Sequence, residues 1–137
     1  MEAVSRGAFE KGGKSIGVTC AEIESFRPGA ANPWVQIVIS TETLTERLDR
    51  LIRRADVLIA LPGGIGTLAE LSLALNLISI GAIQARCLIL IGPVWEKTLK
   101  TFFTEGTDFI PEALKARIFF AANSWDAVNL LQKNFSQ

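Results

Sequence analysis

Two runs, Val57-Leu58-Ile59-Ala60-Leu61 and Cys87-Leu88-Ile89-Leu90-Ile91, each place five apolar residues in succession, without the polar alternation of a strand that keeps one face in water. Such strands ask for burial on both faces, which a parallel sheet covered by helices supplies. Further β-rich runs at residues 15–20, 35–40 and 118–121 alternate with helix-period segments at 2–11, 44–54, 67–80, 94–103 and 125–133. This βαβ rhythm predicts an α/β fold: a Rossmann-like, doubly wound parallel sheet in a three-layer αβα arrangement. The 137 residues suit a single domain spanning 1–137, and with 49% of them apolar a core can form without disulfides or metals.

Local punctuation supports these elements. Thr43 with Glu46 three residues on reads as a capping box for the helix running to Arg54, and Ser124 is placed to cap the last helix. The stretch from Ala21 to Pro33, with its Pro28-Gly29 and Asn32-Pro33 pairs, reads as the longest connection. The chain opens on a helix closed by Gly12-Gly13, without the strand that normally precedes such a helix. Either the sheet is one strand short or the sequence begins late.

Composition removes several function classes. Fourteen basic residues balance fourteen acidic ones and no basic run occurs, so a nucleic-acid polymer is not an expected partner. With no histidine, neither a zinc site nor a histidine-based triad is expected, and no metal or cofactor is assigned. Cys20 and Cys87 sit in strand-like runs and read as small buried hydrophobes. The most apolar stretch, from Leu71 to Ile83, is too short to span a bilayer and is broken by Asn76 and Gly81. With no signal-peptide core in the first thirteen residues, a soluble, cytoplasmic protein without a membrane partner is expected.

The chemistry concentrates where the run at 57–61 meets Pro62-Gly63-Gly64-Ile65-Gly66-Thr67 and a helix begins. In open α/β sheets ligands bind at the carboxyl ends of strands, so this turn is the expected binding place. Its glycines permit positive φ and close backbone approach, the helix amides attract an anion such as phosphate, and Thr67 adds a hydroxyl. Glu70 follows one turn into the helix, where a carboxylate can bind ribose hydroxyls, orient water or stabilise positive charge on a sugar ring. Acidic residues also stand in first turns simply to complement the helix dipole. Gly64-Ile65-Gly66-Thr67-Leu68-Ala69 fits the dinucleotide pattern G-x-G-x-x-A, but no acidic residue follows the strand at 87–91, which argues against a dinucleotide dehydrogenase. Arg47, Arg50 and Arg54 share one face of the helix before this strand, and Asp49 and Arg53 stand at i,i+4 spacing.

Ala55 through Glu70, containing Pro62-Gly63-Gly64-Ile65-Gly66-Thr67-Leu68-Ala69-Glu70, resembles the PGGxGTxxE signature of the LONELY GUY (LOG) family, whose members were long labelled possible lysine decarboxylases. The segment from Met1 through Val18 is similar to that family's stretch after its first glycine loop. The resemblance implies a phosphoribohydrolase that splits the N-glycosidic bond of AMP or cytokinin nucleoside 5′-monophosphates, releasing base and ribose 5-phosphate. It implies that residues 62–67 hold the phosphate, that Glu70 serves the ribose and the scissile bond, and that Arg47 is the family's functional arginine. It also implies a homodimer. Fold relatives include a molybdenum-cofactor carrier, so a non-catalytic nucleotide- or cofactor-binding protein is the alternative expectation. The sequence departs from the family pattern at Leu48, where a lysine is usual, and at Ala69, where many members are acidic. The loop before Val35 is short, and the family's first strand and glycine loop have no counterpart here. Lysine decarboxylation itself is not expected, because no lysine stands out as the Schiff-base former that pyridoxal phosphate chemistry needs.

One expectation concerns the helix after the glycine turn. Leu68, Leu71, Leu73, Ala74, Leu75, Leu77, Ile78 and Ile80 leave it almost no polar face, so a surface beyond its own sheet should cover it, and a second copy of the chain is the expected cover.

Overall fold

A computed structural model describes residues 2–26, 29 and 32–135. Met1 and Pro28, each of which entered the reading above, lie outside the described residues. The chain divides into two compact units, Met1–Leu51 and Ile52–Gln137.

The first unit opens on helix α1 (Glu2–Glu10), followed by strand β1 (Ile16–Cys20), helix α2 (Ala21–Phe26), strand β2 (Ile37–Thr41) and helix α3 (Leu44–Arg53). β1 and β2 pair in parallel, with Ile16 opposite Ile37 and Cys20 opposite Thr41. The stretch expected to be one long loop therefore begins with a short helix. Six residues are too few to show a helical period, and the turn residues downstream dominated the reading. The capping box at α3 forms as its residues predict. Glu46 Oε2 accepts from the amides of Glu42 and Thr43, and the Glu46 amide donates to Thr43 Oγ1 at 3.2 Å.

The second unit holds strand β3 (Val57–Ala60), helix α4 (Ile65–Ser79), strand β4 (Cys87–Ile91), helix α5 (Pro93–Glu105), a 3₁₀ turn (Thr107–Phe109), the short helix α6 (Glu112–Lys115), strand β5 (Ile118–Ala121) and helix α7 (Ser124–Phe135). Its three strands are all parallel, in the order β3-β4-β5. β4 is buried along its whole length, and Leu88, Ile89 and Leu90 are at most 1% exposed. Cys87, Ile89 and Ile91 share a core cluster with Ala121 of β5 and Ala127 of α7. By the alternation of a strand, Leu88 and Leu90 face the opposite side, so both faces of β4 are covered. Burial pushes the Cys87 thiol up from its ordinary range, which keeps it protonated and inert.

The fold is thus α/β with parallel strands and helices on both sides, the Rossmann-like class expected. Two details depart from the reading. β3 has one strand neighbour among the described residues, and its run is only partly covered: Ile59 is 46% exposed. The last helix is capped by Asn123 rather than Ser124, because the side-chain oxygen of Asn123, one residue earlier, takes the Asp126 amide at 3.0 Å. Among the described residues, no helix is long and apolar enough to cross a membrane.

Candidate functional site

β3 ends at Ala60, and helix α4 starts at Ile65 with Gly64 as its N-cap, two residues earlier than the sequence predicts. Ile65, Gly66 and Thr67 therefore form the first helical turn, and the connection proper is Leu61 to Gly64. α4 receives no side-chain cap. Its first-turn amides consequently point out of the helix end undressed by any capping oxygen, the arrangement that attracts an anion. The contrast with α3 is chemical: there the carboxylates of Glu46 and Glu22 take the amides of residues 42, 43 and 44. A helix start already occupied by two carboxylates has nothing to offer a phosphate.

Of the two freedoms expected of the turn's glycines, positive φ and close backbone approach, only the second is used. None of Gly63, Gly64 and Gly66 has positive φ; the described glycines that do are Gly12, Gly81 and Gly92. What they contribute is the missing Cβ. At Gly63 a Cβ would sit 2.9 Å from the Cβ of Thr67 and closer still to its hydroxyl oxygen, so any side chain there displaces Thr67. At Gly64 and Gly66 a Cβ would meet nothing, so these two present bare backbone to open space. The pattern gives Thr67 a fixed seat over Gly63 and leaves the helix end accessible.

Glu70 is half-buried on α4. At i,i+3 spacing it stands on the same helix face as Thr67, one turn further in. Residues 62–67 and Glu70 are therefore brought together within the second unit. Arg47 belongs to the first unit, where it is half-buried on α3 and its Nε donates to the Val18 carbonyl of β1 at 3.1 Å.

Two contacts that the sequence reading missed fix the start of the turn. The indole Nε1 of Trp95, in the first turn of α5, donates to the Leu61 carbonyl at 3.0 Å. Gly92, at φ 102°, is buried so close to Pro62 that a Cβ there would lie 3.3 Å from the proline Cγ. No local pattern hinted at this, because Trp95 and Leu61 are 34 residues apart.

Two open concavities among the described residues lie elsewhere. One of about 310 Å³ runs beside β5 and α7, lined by Phe120, Asp126, Asn129, Leu130 and Lys133 among others. Another of about 510 Å³ lies in the first unit beside β2 and α3. Neither includes the glycine turn. An anion held by amides at a helix end needs aligned donors rather than a deep cleft, so the geometry of the turn outweighs the volume of these grooves.

Among solved structures, the chain is similar to the molybdenum cofactor binding protein of the phototrophic bacterium Rippkaea orientalis, with a TM-score of 0.67 and 24% identity. It is also similar to the molybdenum cofactor carrier protein of Chlamydomonas reinhardtii, with a TM-score of 0.64 and 26% identity. Each similarity covers 97% of this chain and 69% of the other. No curated protein matches the sequence. The family described as possible lysine decarboxylase matches residues 1–131, and the chain belongs to it.

Proposed function

We propose that the chain binds the phosphate of a nucleoside 5′-monophosphate at residues 63–67 and hydrolyses its N-glycosidic bond. The observation that carries this reading is the uncapped start of α4, with Thr67 seated on Gly63 and Glu70 one turn further along the same face. In the reaction, the bond between ribose C1′ and the base breaks with its electron pair leaving on the base. The Glu70 carboxylate offsets the positive charge that develops on the sugar ring, and water adds at C1′. The base takes up a proton, so AMP and water give adenine and ribose 5-phosphate. Arg47, by its place in the family pattern, is the residue proposed to hold substrate.

A non-catalytic binder is the second reading, favoured by the two molybdenum-cofactor proteins that share the fold. The same phosphate seat would then hold a ligand without cleaving it. Incubating the purified chain with AMP and separating the products by chromatography decides between them: adenine release supports the hydrolase, and binding without release supports the carrier.

The seat itself is tested by Gly64→Val. Because a Cβ at Gly64 meets nothing, the variant should fold, while its isopropyl group stands where an anion must approach the amides. AMP affinity measured by calorimetry should fall at least ~10-fold, equivalent to about 1.4 kcal/mol. Unchanged affinity in the folded variant would rule the seat out.

Homodimerisation and a cytoplasmic setting complete the proposal. On α4, Leu71, Ala74, Leu77 and Ile78 are buried, whereas Leu68 and Ile80 are exposed and Leu73 and Leu75 half-covered. Light scattering at micromolar concentration should show a dimer that Leu75→Glu disrupts. A monomer that binds no apolar dye would refute this arrangement. The cytoplasmic setting is supported by two cysteines that are free and buried.

A further inference from the structure

The glycine turn is held from outside as well as by its own contacts. Leu61 is 37% exposed and Pro62 is exposed, so packing of their side chains fixes the path from β3 into α4 only in part. The outside hold comes from residues after β4. We propose that Trp95 is a positioning residue for the phosphate seat, acting through the Leu61 carbonyl. This inference rests on the reading of residues 63–67 as an anion site.

The indole ring of Trp95 is 4% exposed, and its single polar atom is a donor that must find an acceptor when buried. That acceptor is the Leu61 carbonyl, at 3.0 Å. Leu61 is the first residue beyond β3, where the sheet no longer dictates the backbone. Gly92 bears on the next residue, Pro62, through the close approach that its missing side chain permits. Gly92, between β4 and α5, and Trp95, in the first turn of α5, thus bear on two consecutive residues of the turn. Backbone donors that are already aimed incur no ordering cost when the anion arrives, whereas a loose turn must be ordered at that moment. Without its hydrogen bond the turn loses alignment at Gly63 to Thr67, although none of these residues touches Trp95 through that bond.

The test replaces the indole with a ring of the same shape that lacks the donor, Trp95→β-(3-benzothienyl)alanine, introduced by codon suppression. Trp95→4-fluorotryptophan, which keeps the N–H, serves as the conservative control. Amide hydrogen exchange in the ligand-free protein should quicken by about tenfold in the first variant at Leu68, whose amide donates to the Gly64 carbonyl and closes this turn, while β4 stays protected, since breaking one hydrogen bond loosens the segment it holds. AMP affinity should weaken by about tenfold, with the melting temperature nearly unchanged, and the fluorinated control should restore both values. Unchanged exchange at the turn overturns Trp95 as its brace. Faster exchange with unaltered AMP affinity overturns the positioning role. If the wild-type chain itself binds no AMP and Gly64→Val makes no difference, the anion-site reading fails and the positioning role falls with it, whereas the exchange result still reports on the brace alone.

Discussion

Glu70→Ala should slow the release of adenine from AMP by about 10²- to 10⁴-fold, the range that a positioned acid, base or charge-stabilising carboxylate commonly supplies. The substitution suits the backbone, because alanine is the best helix former and residue 70 stands inside α4. Its effect should therefore appear in the rate rather than in the fold. Glu70→Gln sharpens the result: it keeps the size and the hydrogen-bonding amide oxygen but removes the negative charge. If the carboxylate opposes positive charge on the ribose, Gln should be nearly as slow as Ala. If Glu70 only grips ribose hydroxyls, Gln should retain much of the rate and Ala should raise KM. Adenine release equally fast in wild type and Glu70→Ala would remove Glu70 from the mechanism. A wild type that binds AMP without releasing adenine would instead leave the carrier reading standing.

The parts of this molecule that were legible in the sequence are those governed by short-range rules. The five apolar residues of β4 predict burial on both faces, and they are buried without exception. Thr43 and Glu46 predict a capping box, and its reciprocal bonds form. The turn at residues 62–67 does join a strand to a helix start, which is what its composition implied. The features that escaped depend on contacts that only the folded chain makes. β3 carries the same apolar pattern as β4, but its place in the strand order, which no local pattern encodes, leaves Ile59 half in solvent. The glycines of the turn were expected to supply positive φ, yet Gly63 is needed because Thr67 lies over it, a relation visible only once the helix has formed. The bond from the Trp95 indole to the Leu61 carbonyl joins residues 34 apart, which no local pattern encodes.

Strand order also sets the largest stability effect. Ile89→Ala should destabilise the protein by about 3–5 kcal/mol, the upper part of the range for emptying a buried aliphatic site. Ile89 is 0% exposed, in the middle of the central strand, and belongs to the core cluster that includes Cys87, Ile91, Ala121 and Ala127. Neighbours held on either side by parallel strands cannot collapse into the space, so the cavity term adds to the lost transfer energy. Ile59→Ala removes the same atoms from β3, where nearly half of the side chain already meets solvent, and should cost only about 1 kcal/mol. Paired urea titrations at equal m-values read the difference directly. The comparison discriminates because the two residues are chemically identical and stand opposite each other in the β3–β4 register. Similar losses at both positions would mean that Ile59 is covered in solution as fully as Ile89, and that β3 is not an exposed edge in the folded protein.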